Sequence, residues 1–84
     1  MSSKKKPPSF DPEADDYTSW KSDVTIWRLY TDTADNKVGP AVYLAAQGKA
    51  RDVVRGMAPE TVGSATGYDT IVAELDKVYL SNES

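Results

Sequence analysis

With 84 residues, 39% of them apolar and 27% charged, the chain has the size and balance of one small globular domain with a single core; it fits neither a fibre nor a fully disordered chain. It contains no cysteine and no histidine, which excludes disulfides, thiolate zinc sites, haem attachment and imidazole-based catalysis. The net charge is −3, and setting aside Lys4, Lys5 and Lys6 leaves −6 on the remainder, a poor electrostatic match for phosphate backbones.

No apolar run approaches the roughly 18 residues a membrane span needs, and no segment has the layout of a signal peptide. The sequence therefore predicts a soluble chain with no membrane partner. The absence of cysteine fits a reducing compartment, which makes the cytoplasm the expected location.

In chain order, residues 1–6 read as a disordered basic leader. Pro7 and Pro8 then fix two φ angles and favour an extended arm, in which Phe10 is the apolar side chain available to pin the arm to the body. Glu13 to Asp16 is an acidic cluster directly ahead of an apolar pattern, so Asp15 or Asp16 is expected to cap a helix. That helix runs from near Asp16 to Leu29 or Tyr30. Tyr17, Trp20, Val24 and Trp27 recur on it at steps of three, four and three and so share one stripe.

A second helix is expected over 38–46, capped by Asp35 or Asn36 and carrying Pro40 in its first turn. Val42, Ala45, Ala46 and Ala50 share a face whose small side chains suit close packing, flanked by Tyr43 and Leu44. Gly48 marks either a break between two short helices or a tight packing point, a bend being the favoured reading with a continuous and a broken helix both left open. Lys49 to Arg55 resumes the pattern, with Gly56 as the left-handed residue that closes it.

Residues 60–67 read as a loop with one helical turn around Pro59 to Val62. Thr66 and Asp69 have the spacing of a capping box, and behind them Tyr68, Ile71, Leu75 and Val78 form the stripe of a last helix, widened by Tyr79 and Leu80. Residues 81–84 are polar and read as a flexible end at a domain boundary. The expected fold is all-α: a compact bundle of four to five short helices preceded by an extended amino-terminal arm. Its predicted core is Trp20, Val24, Trp27, Leu44, Ala45, Val54, Ile71, Leu75 and Tyr79.

The residues offer little for catalysis. Asp15 and Asp16 are adjacent and do not face each other on a helix, so the capping role outweighs a paired-carboxylate site. There is no nucleophile elbow, no S-x-x-K pair and no phosphate loop, since the Gly63 to Gly67 spacing lacks a following Lys-Ser or Lys-Thr. No enzymatic activity, metal or cofactor is expected. Phe10, Tyr17, Trp20, Trp27 and Tyr30 are numerous enough for a stacking platform, but such platforms interleave arginine and lysine, whereas this region is rich in Asp and Glu. These rings suit a core better than nucleic acid.

Pro7-Pro8-Ser9-Phe10, Tyr17-x-x-Trp20-Lys21 and Trp27 resemble the opening of the Gag capsid domain of long-terminal-repeat retrotransposons. Gly39 to Leu44, Gly48-Lys49-Ala50-Arg51 and Leu75-Asp76-x-x-Tyr79-Leu80 continue the likeness in order, so that residues 7–80 resemble an amino-terminal capsid lobe. The resemblance implies a subunit that meets copies of itself, weakly in isolation, in a virus-like particle shell. The second lobe and the zinc knuckle that such proteins use for RNA are missing here, and the acidic body agrees with no direct nucleic-acid binding by this stretch. Domesticated, Arc-like members of the family use this lobe to hold short hydrophobic peptides beside the arm. Carried over to this chain, that alternative gives a groove bordered by Pro8, Phe10, Tyr17 and Trp20, where strand addition would supply the hydrogen bonds. The competing reading is that these rings belong only to the core.

Overall fold

The computed structural model describes residues 6–80. The expected leader, apart from Lys6, and the expected flexible end at 81–84 lie outside them. Among the described residues the fold is all-α, with five helices: α1 (Tyr17–Tyr30), α2 (Asp35–Ala45), α3 (Gly48–Val54), α4 (Pro59–Val62) and α5 (Gly67–Tyr79). No helix among them is long and apolar enough to cross a membrane.

The acidic cluster before α1 is a turn built from side-chain acceptors. Asp11 Oδ1 accepts from Glu13 N at 3.0 Å, Asp15 Oδ2 accepts from Asp11 N at 2.9 Å, and Asp16 Oδ2 accepts from Ser19 N at 3.0 Å. Asp16 is thus the N-cap, and its carboxylate also faces the positive end of the helix. From there Tyr17, Trp20, Val24 and Trp27 turn inward as one buried stripe. Tyr17 near the start of α1 bonds Asp76 late in α5, while Arg28 near the end of α1 lies over the ring of Tyr68 early in α5, so the two helices run antiparallel.

α2 begins earlier than the sequence suggests. Its N-cap is Ala34 rather than Asp35 or Asn36, because the Asp35 carboxylate is drawn to Arg28 at 2.9 Å and sits within the first turn. Pro40 therefore falls in the second turn, where it has no N–H to offer the carbonyl of exposed Asn36. Leu44 is not core: it lies two residues from buried Val42, about 200° round the helix, and is 63% exposed. Ala45 is half-buried.

The buried set joins Phe10, the α1 stripe, Val38, Val42, Ala46, Ala50, Val54, Val62, Ile71 and Leu75 in one core. On α5 the stripe continues from Ile71 and Leu75 to half-buried Tyr79 at steps of four, which leaves Val78 53% exposed. The expected capping box is absent: Thr66 precedes α5 without a side-chain bond to its N–H groups, and Ser64 stands 3.3 Å from its hydroxyl. Close approach is achieved by glycine more than by the alanines of α2. A Cβ on Gly39 or on Gly67 would run into the carbonyl oxygen of Val62, so α2, α4 and the start of α5 meet backbone to backbone.

Gly48 does divide two helices, and among the described residues it is the one with positive φ, at +53°. Gly56, expected to take that role, does not have positive φ. α3 instead ends through Arg55, whose N–H bonds the Arg51 carbonyl at 2.8 Å. The two glycines should therefore respond in opposite directions to alanine. Gly48→Ala is expected to lose about 1 kcal/mol to left-handed strain, and Gly56→Ala to gain about 0.4–1 kcal/mol by restricting the unfolded chain, both read from urea denaturation midpoints.

Candidate functional site

The break between α2 and α3 creates a docking place for the arm. A helix end leaves its last four carbonyls without intrahelical partners, and burial forces each to find another donor. Here all four are served, two of them by one shared N–H. Ala46 N reaches the carbonyls of Val42 and Tyr43, both at 3.2 Å. Arg51 donates through a terminal guanidinium nitrogen to the Leu44 carbonyl at 3.0 Å, and through Nε to that of Ala46, just past the helix, at 3.0 Å. Phe10 N takes the Ala45 carbonyl at 2.9 Å, and Gln47 N returns a bond to the Phe10 carbonyl at 2.8 Å. The arm is thereby joined to the interhelical link as a parallel bridge between Phe10 and Ala46.

Side chains complete the dock. Trp20 Nε1 donates to the Pro8 carbonyl at 2.8 Å, which fixes the arm two residues before its plug. The Phe10 ring lies 5.2 Å from Trp20, 5.5 Å edge-on from Tyr17 and 5.4 Å edge-on from Tyr79, and Tyr17 stacks on Tyr79 at 5.4 Å. Edge and offset contacts of this kind add about 0.5–1.5 kcal/mol each beyond the area they bury. Phe10 ends 1% exposed, with Tyr17 and Trp20 nearly as covered.

Of the four residues assigned to a peptide groove, three are therefore sealed beneath the arm, and only Pro8 is half-buried. The rings form the seat of the chain's own arm and not an open trough. On one side of the arm a hollow of about 430 Å³ stays open, lined by Lys6, Pro7, Ser9, Ala41, Leu44, Ala45 and Gln47. Across the exposed Leu44 lies a second, of about 320 Å³, walled by Pro40, Tyr43, Met57, Pro59 and Val62.

The electrostatics of the seat centre on Asp76. Its Oδ1 accepts from the Tyr17 hydroxyl at 2.7 Å and its carboxylate pairs with Lys21 Nζ at 3.0 Å. Burial, with the anionic neighbour adding to it, pushes the Tyr17 hydroxyl far above the ordinary tyrosine range, and burial raises Tyr79 as well. The Lys21–Asp76 pair is one-third exposed on each side and serves to orient the carboxylate more than to stabilise the fold. Among the described residues no group of three or more acidic side chains is arranged to hold a metal ion.

The remaining apolar surface faces outward. Ile26, Leu29 and Tyr30 near the end of α1 are 62%, 79% and 62% exposed. The sequence stripe could have shown this, since at about 100° per residue they lie on the side away from Val24, but a search for core residues passes over them. Arg51 was also missed as the residue that ties α2 to α3, because nothing in its neighbourhood shows which carbonyls a break will orphan. Comparison of the chain with family models, with curated proteins and with solved structures finds no match.

Two results are expected. Phe10→Ala should cost about 3–5 kcal/mol and shift tryptophan emission to the red as water reaches Trp20, measured by fluorescence-monitored denaturation. Because the folded state holds Tyr17 protonated while the unfolded chain releases its proton near pH 10, the stabilisation is complete below pH 10 and falls away as pH rises beyond it. Tyr17→Phe should remove most of that alkaline loss in denaturation midpoints taken from pH 8 to pH 11, leaving the smaller part due to Tyr79.

Proposed function

We propose that the chain is a structural subunit of the capsid type, a helical lobe that associates with copies of itself in a virus-like particle shell. The observation that carries the reading is the distribution of apolar groups: the core is closed by the chain's own arm, yet Ile26, Leu29, Tyr30, Leu44, Val78 and Leu80 all remain on the outside. Single exposed apolar residues are ordinary, but three on one helix end form a patch of the kind that partners cover. The order of arm, first helix with paired tryptophans, broken second helix and last helix supports the resemblance to Gag capsid lobes in residues 7–80.

Association of this kind is weak for one lobe and adds up across many. Sedimentation velocity between about 10 µM and about 1 mM, a range spanning interactions of roughly 4–7 kcal/mol, is expected to give a rising weight-average sedimentation coefficient, with particles in electron micrographs at the highest concentrations. A constant monomer value throughout would sink the reading.

A second reading, a peptide-binding module, is favoured by the bridge itself, since the link at Ala46 and Gln47 accepts an extended segment through backbone bonds. In this form a foreign peptide either displaces the arm from its seat or lies in the hollow between Pro7 and Leu44. Calorimetric titration with proline- and aromatic-containing peptides should then give tighter binding to a chain lacking residues 1–10 if the arm competes, and unchanged binding if the hollow is used. No heat with either chain removes this reading.

A further inference from the structure

α1 has a second face. Opposite the Val24 stripe, Thr18, Ser22, Thr25, Ile26 and Leu29 are exposed over three turns, and none is charged; Lys21 pairs with Asp76 on α5, Arg28 with Asp35 at the start of α2, and exposed Asp23 lies at the edge of the face. A solvated helix face ordinarily carries its charges there. The face is also graded in size. Its first half holds small hydroxyl residues around a shallow depression of about 370 Å³ lined by Thr18, Lys21, Ser22, Thr25 and Ile26. Its second half projects Leu29 and Tyr30, and Leu29 is 79% exposed.

A small half followed by a large half on one helix is complementary to itself when the copies run antiparallel. The depression centres at Ser22, and Leu29 lies seven residues on, so the midpoint falls between Thr25 and Ile26. A two-fold axis there places the Leu29 of each copy beside the Ser22 of the other, over its depression, and sets Thr25 against Ile26 and Ile26 against Thr25. An isologous contact requires this reciprocity, and small side chains at the crossing allow helix axes to approach within about 8–10 Å.

From this we infer that the outward face of α1 is a two-fold self-association surface, the occupant being a second copy of this chain with Leu29 seated beside Ser22. The inference rests on the reading of the chain as a self-assembling subunit and names the face by which one of its contacts is made. A single helix-to-helix contact covers less area than a stable dimer needs, which makes it weak and concentration-dependent.

Because the chain has no cysteine of its own, single-cysteine variants report this geometry directly. Under mild oxidation at high concentration, Thr25→Cys is expected to form a disulfide-linked dimer much faster than Asp52→Cys, whose position on α3 is also exposed. Leu29→Asp, at a site outside the core, should keep the thermal unfolding profile by circular dichroism and weaken self-association at least tenfold in sedimentation equilibrium. Self-association unchanged in Leu29→Asp, or cross-linking no faster at Thr25 than at Asp52, overturns the α1 face while the subunit reading stands. A chain that is monomeric at every concentration removes both.

Discussion

The carbonyls at the end of α2 set the plan of this small helical domain. A helix that stops inside a protein must hand its last acceptors to other donors, and here the donors come from three parts of the chain: the turn after the helix, the guanidinium of Arg51 on α3, and the backbone of an arm some thirty-five residues earlier. The arm's bond at Phe10 draws its ring among Tyr17, Trp20 and Tyr79, and those rings join α1 to α5. A local requirement of helix geometry thus becomes the means by which both ends of the described chain are fastened to its middle.

Glycine does for close packing what the arm does for closure. At Gly39 and Gly67 the absence of a Cβ lets two helices rest against the carbonyl of Val62, so that the short α4 is held by backbone contact as well as by its one buried side chain. At Gly48 the same residue type acts through conformation, allowing the positive φ that re-aims the chain into α3. In a domain of this size, where stability is slight, such placements carry more weight than they would in a larger core.

Much of this was legible in the residues. The α1 stripe, the cap at Asp16, the burial of Phe10, the bend at Gly48 and the single turn at Pro59 to Val62 follow from local periodicity and backbone preference. What escaped was decided between elements. Asp35 is a good cap by type, but Arg28 claims its carboxylate. Leu44 is apolar enough for a core, yet the stripe of Val38 and Val42 faces away from it. Gly56 has the right identity for a left-handed close, but α3 ends without needing one. The aromatic site shows the same division: its members were readable as a group, while their being covered by the arm depends on which carbonyls the broken helix leaves open.

The contact of Phe10 with Tyr79 has a consequence in time as well as in space. The two rings stand 5.4 Å apart though nearly seventy residues separate them in sequence. Synthesis from the amino-terminal side presents Phe10, Tyr17 and Trp20 before α5, so the last wall of the seat emerges only once that helix is almost complete. The final helix, as it arrives, closes a seat whose other walls were made before it.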